Sequence, residues 1–567
     1  MRNRAWVVFV VLITIFFVAN VAAQEPTEEI QKQVDAVFAA YDKPGSPGCA
    51  LGVIRDGQLI QSRGYGLANL EHNVPITGAS VFDIGSTSKQ FTATAILLLA
   101  QQGKLTLDDD IRKHLSELRA YGRPITIRHL LHHSSGLRDY LTLMALAGTD
   151  FDGVTSGEDA LRLIARQKAL NFTPGDEHLY SNSGYFLLSV IVKRASGKSL
   201  REFAAENIFG ALGMTSTHFH DNHAELVPRR ATGYAPRREG DFRIHMSGFE
   251  QTGDGAVYTT VEDLLLWDRN FYEPKVGGPK LLEQLHTTGV LNNGEKLTYA
   301  AGLVVSQHKG LKTVSHGGSW AGYRAELLRF PEQKLSVICL CNVANSNPSR
   351  LARQVAEIYL GEQMKAAAPA AQTAAAAPGT ITLPEDALKN KVGLYRHAPS
   401  GNLMRITVRE ATLWISMFGP PPEELQAVAP NRFRVANWPP SFELSFEPAG
   451  ARHQIRFTSE DAKPEIYEWI EAFEPTPAQL AEFVGAYYSD ELDVTYKLTV
   501  KEGKLTVEVG SQTRPLAPAY RDAFQGPGGG LFEFARDARG RVTGFTVQAG
   551  RVRNIQFSRE RGIGNRE

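Results

Sequence analysis

Residues 365–379 split this 567-residue chain into two halves of different texture. The stretch is alanine- and proline-rich, with Ala366-Ala367-Ala368-Pro369 followed by Ala374 to Ala377 and Pro378-Gly379. That composition suits a semi-rigid tether, with a short alanine helix as the alternative, and we read 365–383 as the linker. Beyond it the sequence runs as short alternating strands with few helices. Gly393-Leu394-Tyr395 recurs as Gly485-Ala486-Tyr487, and Ile406-Thr407-Val408-Arg409-Glu410 recurs as Leu498-Thr499-Val500-Lys501-Glu502. Both pairs share one offset, so the second half reads as two copies of a module, at 384–475 and 476–567. About eight strand segments in each give the content of a small antiparallel barrel.

The first half, 24–364, mixes helix and strand. Glu28 to Tyr41 reads as a helix, and Ala50 to Arg63 as two strands around Asp56-Gly57. Gln90 to Gln102 reads as an apolar helix stopped by Gly103, and Ser336 to Val343 as a buried strand. Arg350 to Leu360 reads as a helix with Leu351, Val355 and Ile358 on one face.

Residues 1–23 read as a secretory signal: Arg2 and Arg4, the apolar run Ala5 to Ala19, then Val21-Ala22-Ala23. The run is shorter than the ~20 residues a spanning helix needs. The expectation is cleavage after Ala23, a secreted or periplasmic product, and no stable membrane span afterwards. Cleavage removes two positive charges, taking the formal net charge from 0 to −2. A balanced chain without basic runs gives no case for nucleic acid as a partner. Cys49, Cys339 and Cys341 are an odd set; the last two share a strand face and read as core packing, with no disulfide framework implied.

Three motifs carry chemistry. Ser86-Thr87-Ser88-Lys89 precedes the apolar helix, so Ser86 and Lys89 lie three apart on one face of its first turn. A second S-x-x-K, Ser306 to Lys309, ends a strand instead, and Ser88 is a rival nucleophile whose spacing aims it away from Lys89. Tyr180-Ser181-Asn182 is the only Y-x-N in the chain. Tyr180 would pass the serine proton to the leaving group, and Asn182 would hold the substrate carbonyl. Partial burial and the nearby phenol are expected to lower the pKa values of both Lys89 and Tyr180. His316-Gly317-Gly318 follows a strand, and glycine there lets substrate lie along the strand edge. The backbone N–H groups of Ser86 and Ser319 would form the oxyanion hole.

With these motifs in this order, residues 24–364 resemble the serine beta-lactamase and D-alanyl-D-alanine peptidase superfamily, in its class C-like branch. Leu130 to Leu137, Phe172 to Tyr185, Leu212-Gly213-Met214 and Val257 to Trp267 resemble its connecting segments. The resemblance implies an α/β fold: a five-stranded antiparallel sheet with helices on both faces, an all-helical part, and the site between them. It also implies an acyl-enzyme on Ser86, with Lys89, Tyr180 and His316 as catalytic residues and Asn182, Gly318 and Ser319 on the substrate. Class C beta-lactamases have K-T-G where this chain has His316-Gly317-Gly318; losing that lysine removes a charge suited to a substrate carboxylate. H-x-G is found in the similar D-aminopeptidases, which also carry two trailing barrels.

The reading is therefore an exported serine hydrolase acting on a small peptide, amide or ester, without a metal or organic cofactor. A family VIII-type carboxylesterase, a beta-lactamase, and a non-catalytic sensor that binds through its barrels are the rivals. Two histidine groups, at 129–133 and 218–223, lack an H-E-x-x-H pattern and are read as structural. The natural substrate and the oligomeric state are left open.

Overall fold

The computed structural model of the protein describes residues 26–364 and 380–560, apart from short stretches at 238–239, 418–421, 437, 439–441, 451, 460–461, 511 and 527–528. The signal-peptide reading and the Ala/Pro core of the linker lie outside the described residues.

The first half is built on one antiparallel sheet. Its strands are β1 (Cys49–Arg55), β2 (Gln58–Tyr65), β3 (Val304–His308), β4 (Leu311–Trp320), β5 (Tyr323–Phe330) and β6 (Leu335–Cys341). They lie in the order β3-β4-β5-β6-β1-β2. Six strands stand where the resemblance implied five. The sixth, β3, is a short edge strand returned onto β4 by Lys309-Gly310, both at positive φ (46° and 82°), which close a tight hairpin. Asp56-Gly57, at φ 49° and 72°, turns β1 into β2 in the same way.

Both faces of the sheet are covered, and the period-2 alternation of β1 shows it. Cys49, Leu51 and Val53 pack under α1 (Glu28–Phe38) and α5 (Pro348–Leu360), with Val34, Phe38, Leu351 and Val355. Ala50 and Ile54 point the other way, into the larger core shared with α2 (Lys89–Gln101) and α4 (Asn182–Ser196). A short helix, α3 (Tyr140–Leu146), completes the wall near the site. Among the described residues, no helix is long and apolar enough to cross a membrane.

One expectation about the cysteines is corrected here. Cys49 and Cys341 face each other in the β1–β6 register and form a disulfide across a sequence separation of 292. Only Cys339 is free, buried with its sulfur 3.7 Å from that of Cys341. The bond depends on sheet register, which two residues so far apart do not announce.

The second half folds as two barrels. Barrel 1 closes completely, eight strands from Gly393–His397 to Ala462–Ile470, with the first paired to the last. Barrel 2 runs from Gly485–Ser489 to Val552–Arg559 as a nine-stranded, nearly closed sheet. The edge strands Gln512–Pro515 and Ala517–Pro518 are separated only by the buried Leu516. The sequence repeat has a physical basis. In each copy a short helix precedes a Gly-x-Tyr strand, and the buried tyrosine donates its hydroxyl to the carbonyl four residues back. Tyr395 reaches Lys391 O at 2.9 Å, and Tyr487 reaches Phe483 O at 2.9 Å.

Barrel 2 docks on the helical part. Arg138, 2 % exposed, donates to Glu491 Oε1 at 2.6 Å and to Gln167 Oε1 at 2.9 Å. Glu491 Oε1 also accepts the Lys168 N–H at 2.7 Å. Leu143 of α3 is buried within the barrel's own core. A buried ion pair with both members hydrogen-bonded is held firmly, since removing either leaves an uncompensated charge.

Candidate active site

Ser86 sits in a tight 3₁₀ turn, Gly85–Ser88, that runs straight into α2. Gly85 has φ +48°, and a Cβ there would stand 2.8 Å from Ser319 N, so glycine is needed where the turn passes strand β4. The Thr87 hydroxyl pins the two together by donating to His316 O at 3.0 Å. Ser88, the rival nucleophile, is fully buried and its hydroxyl accepts the Val257 N–H at 3.0 Å. The second S-x-x-K lies on β3 and its turn, where Lys309 pairs with Glu357 at 2.8 Å.

Lys89 is completely buried at the head of α2. Its Nζ lies 3.0 Å from Ser86 Oγ, 3.0 Å from Asn182 Oδ1, and in contact with the carbonyl oxygen of Asp254. These three partners suit both forms of the side chain. The ammonium donates to all three; the neutral amine donates to Asn182 and Asp254 and turns its lone pair to the Ser86 hydroxyl. A proton can therefore move between Ser86 and Lys89 without rearranging the site. Burial lowers the Lys89 pKa; the Asp254 carboxylate opposes that shift, and the charge of Arg551 adds to it.

Tyr180 departs from its expectation. Burial raises its phenol pKa rather than lowering it, and the Ser86 hydroxyl beside it only partly offsets this. Tyr180 is thus held as a neutral phenol. Its hydroxyl lacks a hydrogen bond of ordinary geometry, although Ser86 is near enough to influence its ionisation. The ring is clamped by His133, whose ring centroid is 4.1 Å away and whose Nδ1 accepts the Ser181 N–H at 3.2 Å. His133 thus has a structural place beside the site.

The Asn182 N–H donates to Asp139 Oδ2 at 2.7 Å, and Asp139 Oδ1 caps α3 through Thr142 N at 3.0 Å. One carboxylate thereby fixes the starts of both α3 and α4. Asp254 lies opposite, accepting the Tyr140 hydroxyl at 3.0 Å. Asp139, Tyr140 and Asp254 were missed at the sequence level. Each acts as a single loop or helix-end residue, and the Gly253-Asp254-Gly255 run is the only local hint.

Strand β3 stops pairing at Ser315, so His316 to Ser319 present a free edge to the turn that carries Ser86. A Cβ at Gly318 would stand 1.8 Å from Ile84 O, so only glycine fits there. Ser319 brings its backbone N–H beside the turn that carries Ser86. Both ring nitrogens of His316 have other partners than Ser86: Nε2 lies 2.9 Å from the Tyr299 hydroxyl and Nδ1 2.7 Å from Gly317 O. Nδ1–H donates to the carbonyl and Nε2 accepts from the phenol, which makes the ring neutral. Burial holds its pKa down at about 4.

Ser86, Tyr180, Asn182, His316, Gly318 and Ser319 all line one cavity of about 830 Å³, within the range of small-molecule sites. Lys89 lies behind its wall.

Residues 34–360 match the family model described as Beta-lactamase. A D-aminopeptidase of Brucella anthropi is 27% identical over 539 residues, covering 90% of this chain and 95% of that protein. A D-aminopeptidase of Gluconobacter oxydans is 29% identical over 313 residues, but that match covers 55% of this chain and only 58% of that protein. In fold, the chain resembles an octameric penicillin-binding protein homologue from Pyrococcus abyssi, with a TM-score of 0.55 and 24% identity. That likeness covers 78% of this chain and 99% of the other. With more than half of its length matched to the family's pattern, this protein belongs to the Beta-lactamase family.

Proposed function

We propose that the protein is an exported serine hydrolase that cleaves amide or peptide bonds through an acyl-enzyme on Ser86. The observation that carries this reading is the Lys89 amine, buried and shared between Ser86 Oγ and Asn182 Oδ1 at 3.0 Å each. Lys89 takes the Ser86 proton as Oγ attacks the carbonyl carbon, and the N–H groups of Ser86 and Ser319 hold the oxyanion. Tyr180, a neutral phenol, hands a proton to the departing amine and is restored from Lys89. Water then attacks the ester, and Lys89 takes its proton and returns it to Ser86 Oγ as the ester C–O bond breaks, restoring free Ser86. Full-length similarity to an enzyme named D-aminopeptidase supports an amide substrate, D-configured residues included. The neutral His316, in place of a strand lysine, weighs against beta-lactams.

The test is intact-mass measurement after a fluorophosphonate probe, with Ser86→Ala as control. Turnover of D- and L-aminoacyl p-nitroanilides and of p-nitrophenyl esters follows. One adduct on the wild type, none on Ser86→Ala, and anilide turnover are expected. Ester turnover without anilide turnover replaces the amidase with an esterase, and no adduct overturns catalysis by Ser86.

A further inference from the structure

The cavity around Ser86 is not completed by the first half of the chain alone. The hairpin between Val542–Ala549 and Val552–Arg559 of barrel 2 reaches it, and Arg551 at the hairpin tip is one of its lining residues. The Arg551 guanidinium carbon lies 4.6 Å from the centroid of the Tyr180 ring. The hairpin is fixed in place at several points. Asn171 donates to Arg551 O at 2.9 Å and accepts the Arg553 N–H at 2.8 Å. Arg138 donates to the carbonyls of Arg553 and Asn554 at 3.0 Å each, and Arg553 pairs with Glu177 at 3.0 Å.

The guanidinium itself is left open. Among the described residues its nearest anion is Asp139 Oδ2 at 3.9 Å, an oxygen already engaged by the Asn182 N–H. The Arg551 side chain is 44 % exposed, toward a cavity rather than packed away. The cavity's other guanidinium, Arg324, is turned onto the carbonyls of Ala321 and Tyr323 at 3.0 and 2.6 Å. Strand β4 lines the cavity with His316 to Trp320 and brings no cation to it there, because His316 is held neutral between Tyr299 and Gly317. A guanidinium stacked on Tyr180, with its N–H edges free, is suited to grip a carboxylate at two points.

Its position also says which part of a substrate it meets. Tyr180 protonates the leaving amine in the mechanism above, so a cation on its ring stands on the leaving-group side of Ser86. We propose that Arg551 is the carboxylate-recognising residue of this site, supplied by barrel 2, and that the preferred substrates are short peptides whose leaving group is an amino acid with a free carboxylate. The proposal rests on amide hydrolysis at Ser86. The same charge disfavours substrates that bring an ammonium to that side.

The experiment compares kcat/KM for N-acetyl-D-alanyl-D-alanine and for the same peptide as its C-terminal amide, with the L-series in parallel. The wild type is expected to favour the free carboxylate by about 10–100-fold, the value of a charge-assisted pair. Arg551→Ala brings the ratio toward 1, Arg551→Lys keeps part of it, and Arg551→Glu inverts it. A merely structural loosening of barrel 2 lowers both substrates together and leaves the ratio unchanged, which overturns the proposal. So does a wild-type ratio near 1. If Ser86 takes up the fluorophosphonate probe and a neutral anilide is turned over without any carboxylate preference, this assignment alone fails. If neither occurs, the function beneath it fails as well.

Discussion

The two barrels share a repeat, a preceding helix and a buried Tyr hydroxyl bond, yet they stand in opposite relations to the site. Among the described residues, barrel 1 bonds to barrel 2 through Arg405 to Pro518 O at 2.8 Å, Arg396 to Glu533 at 3.3 Å, and Met417 O from Gln525 at 3.1 Å, and has no hydrogen bond or ion pair to the first half of the chain. Barrel 2 instead grips the helical part and sends Arg551 into the cavity. The difference lies in matching loops. Residues 490–493 of barrel 2 are Asp-Glu-Leu-Asp, and the three acids meet Lys168, Arg138 and Arg166 at 2.5, 2.6 and 2.8 Å. Residues 398–402 of barrel 1 are Ala-Pro-Ser-Gly-Asn, with no charge at all. The core pattern makes a barrel; the loops decide what the barrel is for.

Arg138→Ala gives the largest test of this contrast. It strands Glu491 as a buried, unpaired charge, at a cost of about 3–5 kcal/mol. Arg405→Ala, which removes a partly buried hydrogen bond to a carbonyl, costs about 1 kcal/mol. Scanning calorimetry should show a much larger loss of melting temperature for the first; equal losses would erase the distinction between the barrels. Leu403→Ala comes next. Leu403 is 3 % exposed and packs against Ala519, Ala523 and Leu531 between the barrels. Its truncation should cost roughly 2–3 kcal/mol in the barrel 1 transition and change kcat/KM by less than about twofold. A large activity loss would show that barrel 1 also serves the site.

The smallest effect is electrostatic. In the proposed mechanism Lys89 must be neutral to take the Ser86 proton, so kcat/KM is expected to rise with pH as Lys89 loses its proton. Burial lowers that pKa, placing this limb well below the ordinary lysine value of about 10.4. Arg551 lowers it further, so Arg551→Ala stabilises the ammonium and moves the limb to higher pH. Arg405→Ala on barrel 1 should leave the limb in place. A shift in that variant, or none in Arg551→Ala, would break the contrast from the electrostatic side.

What the sequence made legible were features written over a few adjacent residues. Ser86 and Lys89 are three apart on one turn, and an apolar helix read from Gln90 begins one residue earlier, at Lys89. The barrels were legible because alternation and the Gly-x-Tyr repeat are periodic. What escaped depends on register or on lone residues. The Cys49–Cys341 bond needs β1 beside β6; Arg138 and Glu491 are 353 residues apart; Asp254 serves Lys89 with its backbone. The direction of the Tyr180 shift was misread because burial, which favours a neutral lysine, equally favours a neutral phenol. One cause moves the two pKa values apart.

The bond between Cys49 and Cys341 also turns most of the first half into a covalent ring. Nearly all of the helical part lies inside it, together with the Ser86 turn and strand β4. A protease that cuts an exposed loop, such as the one carrying Leu226 at 89 % exposure, therefore produces two chains that remain one molecule. They would migrate as a single species until a reductant opens the ring, and the nicked protein would keep Ser86 and Ser319 in register.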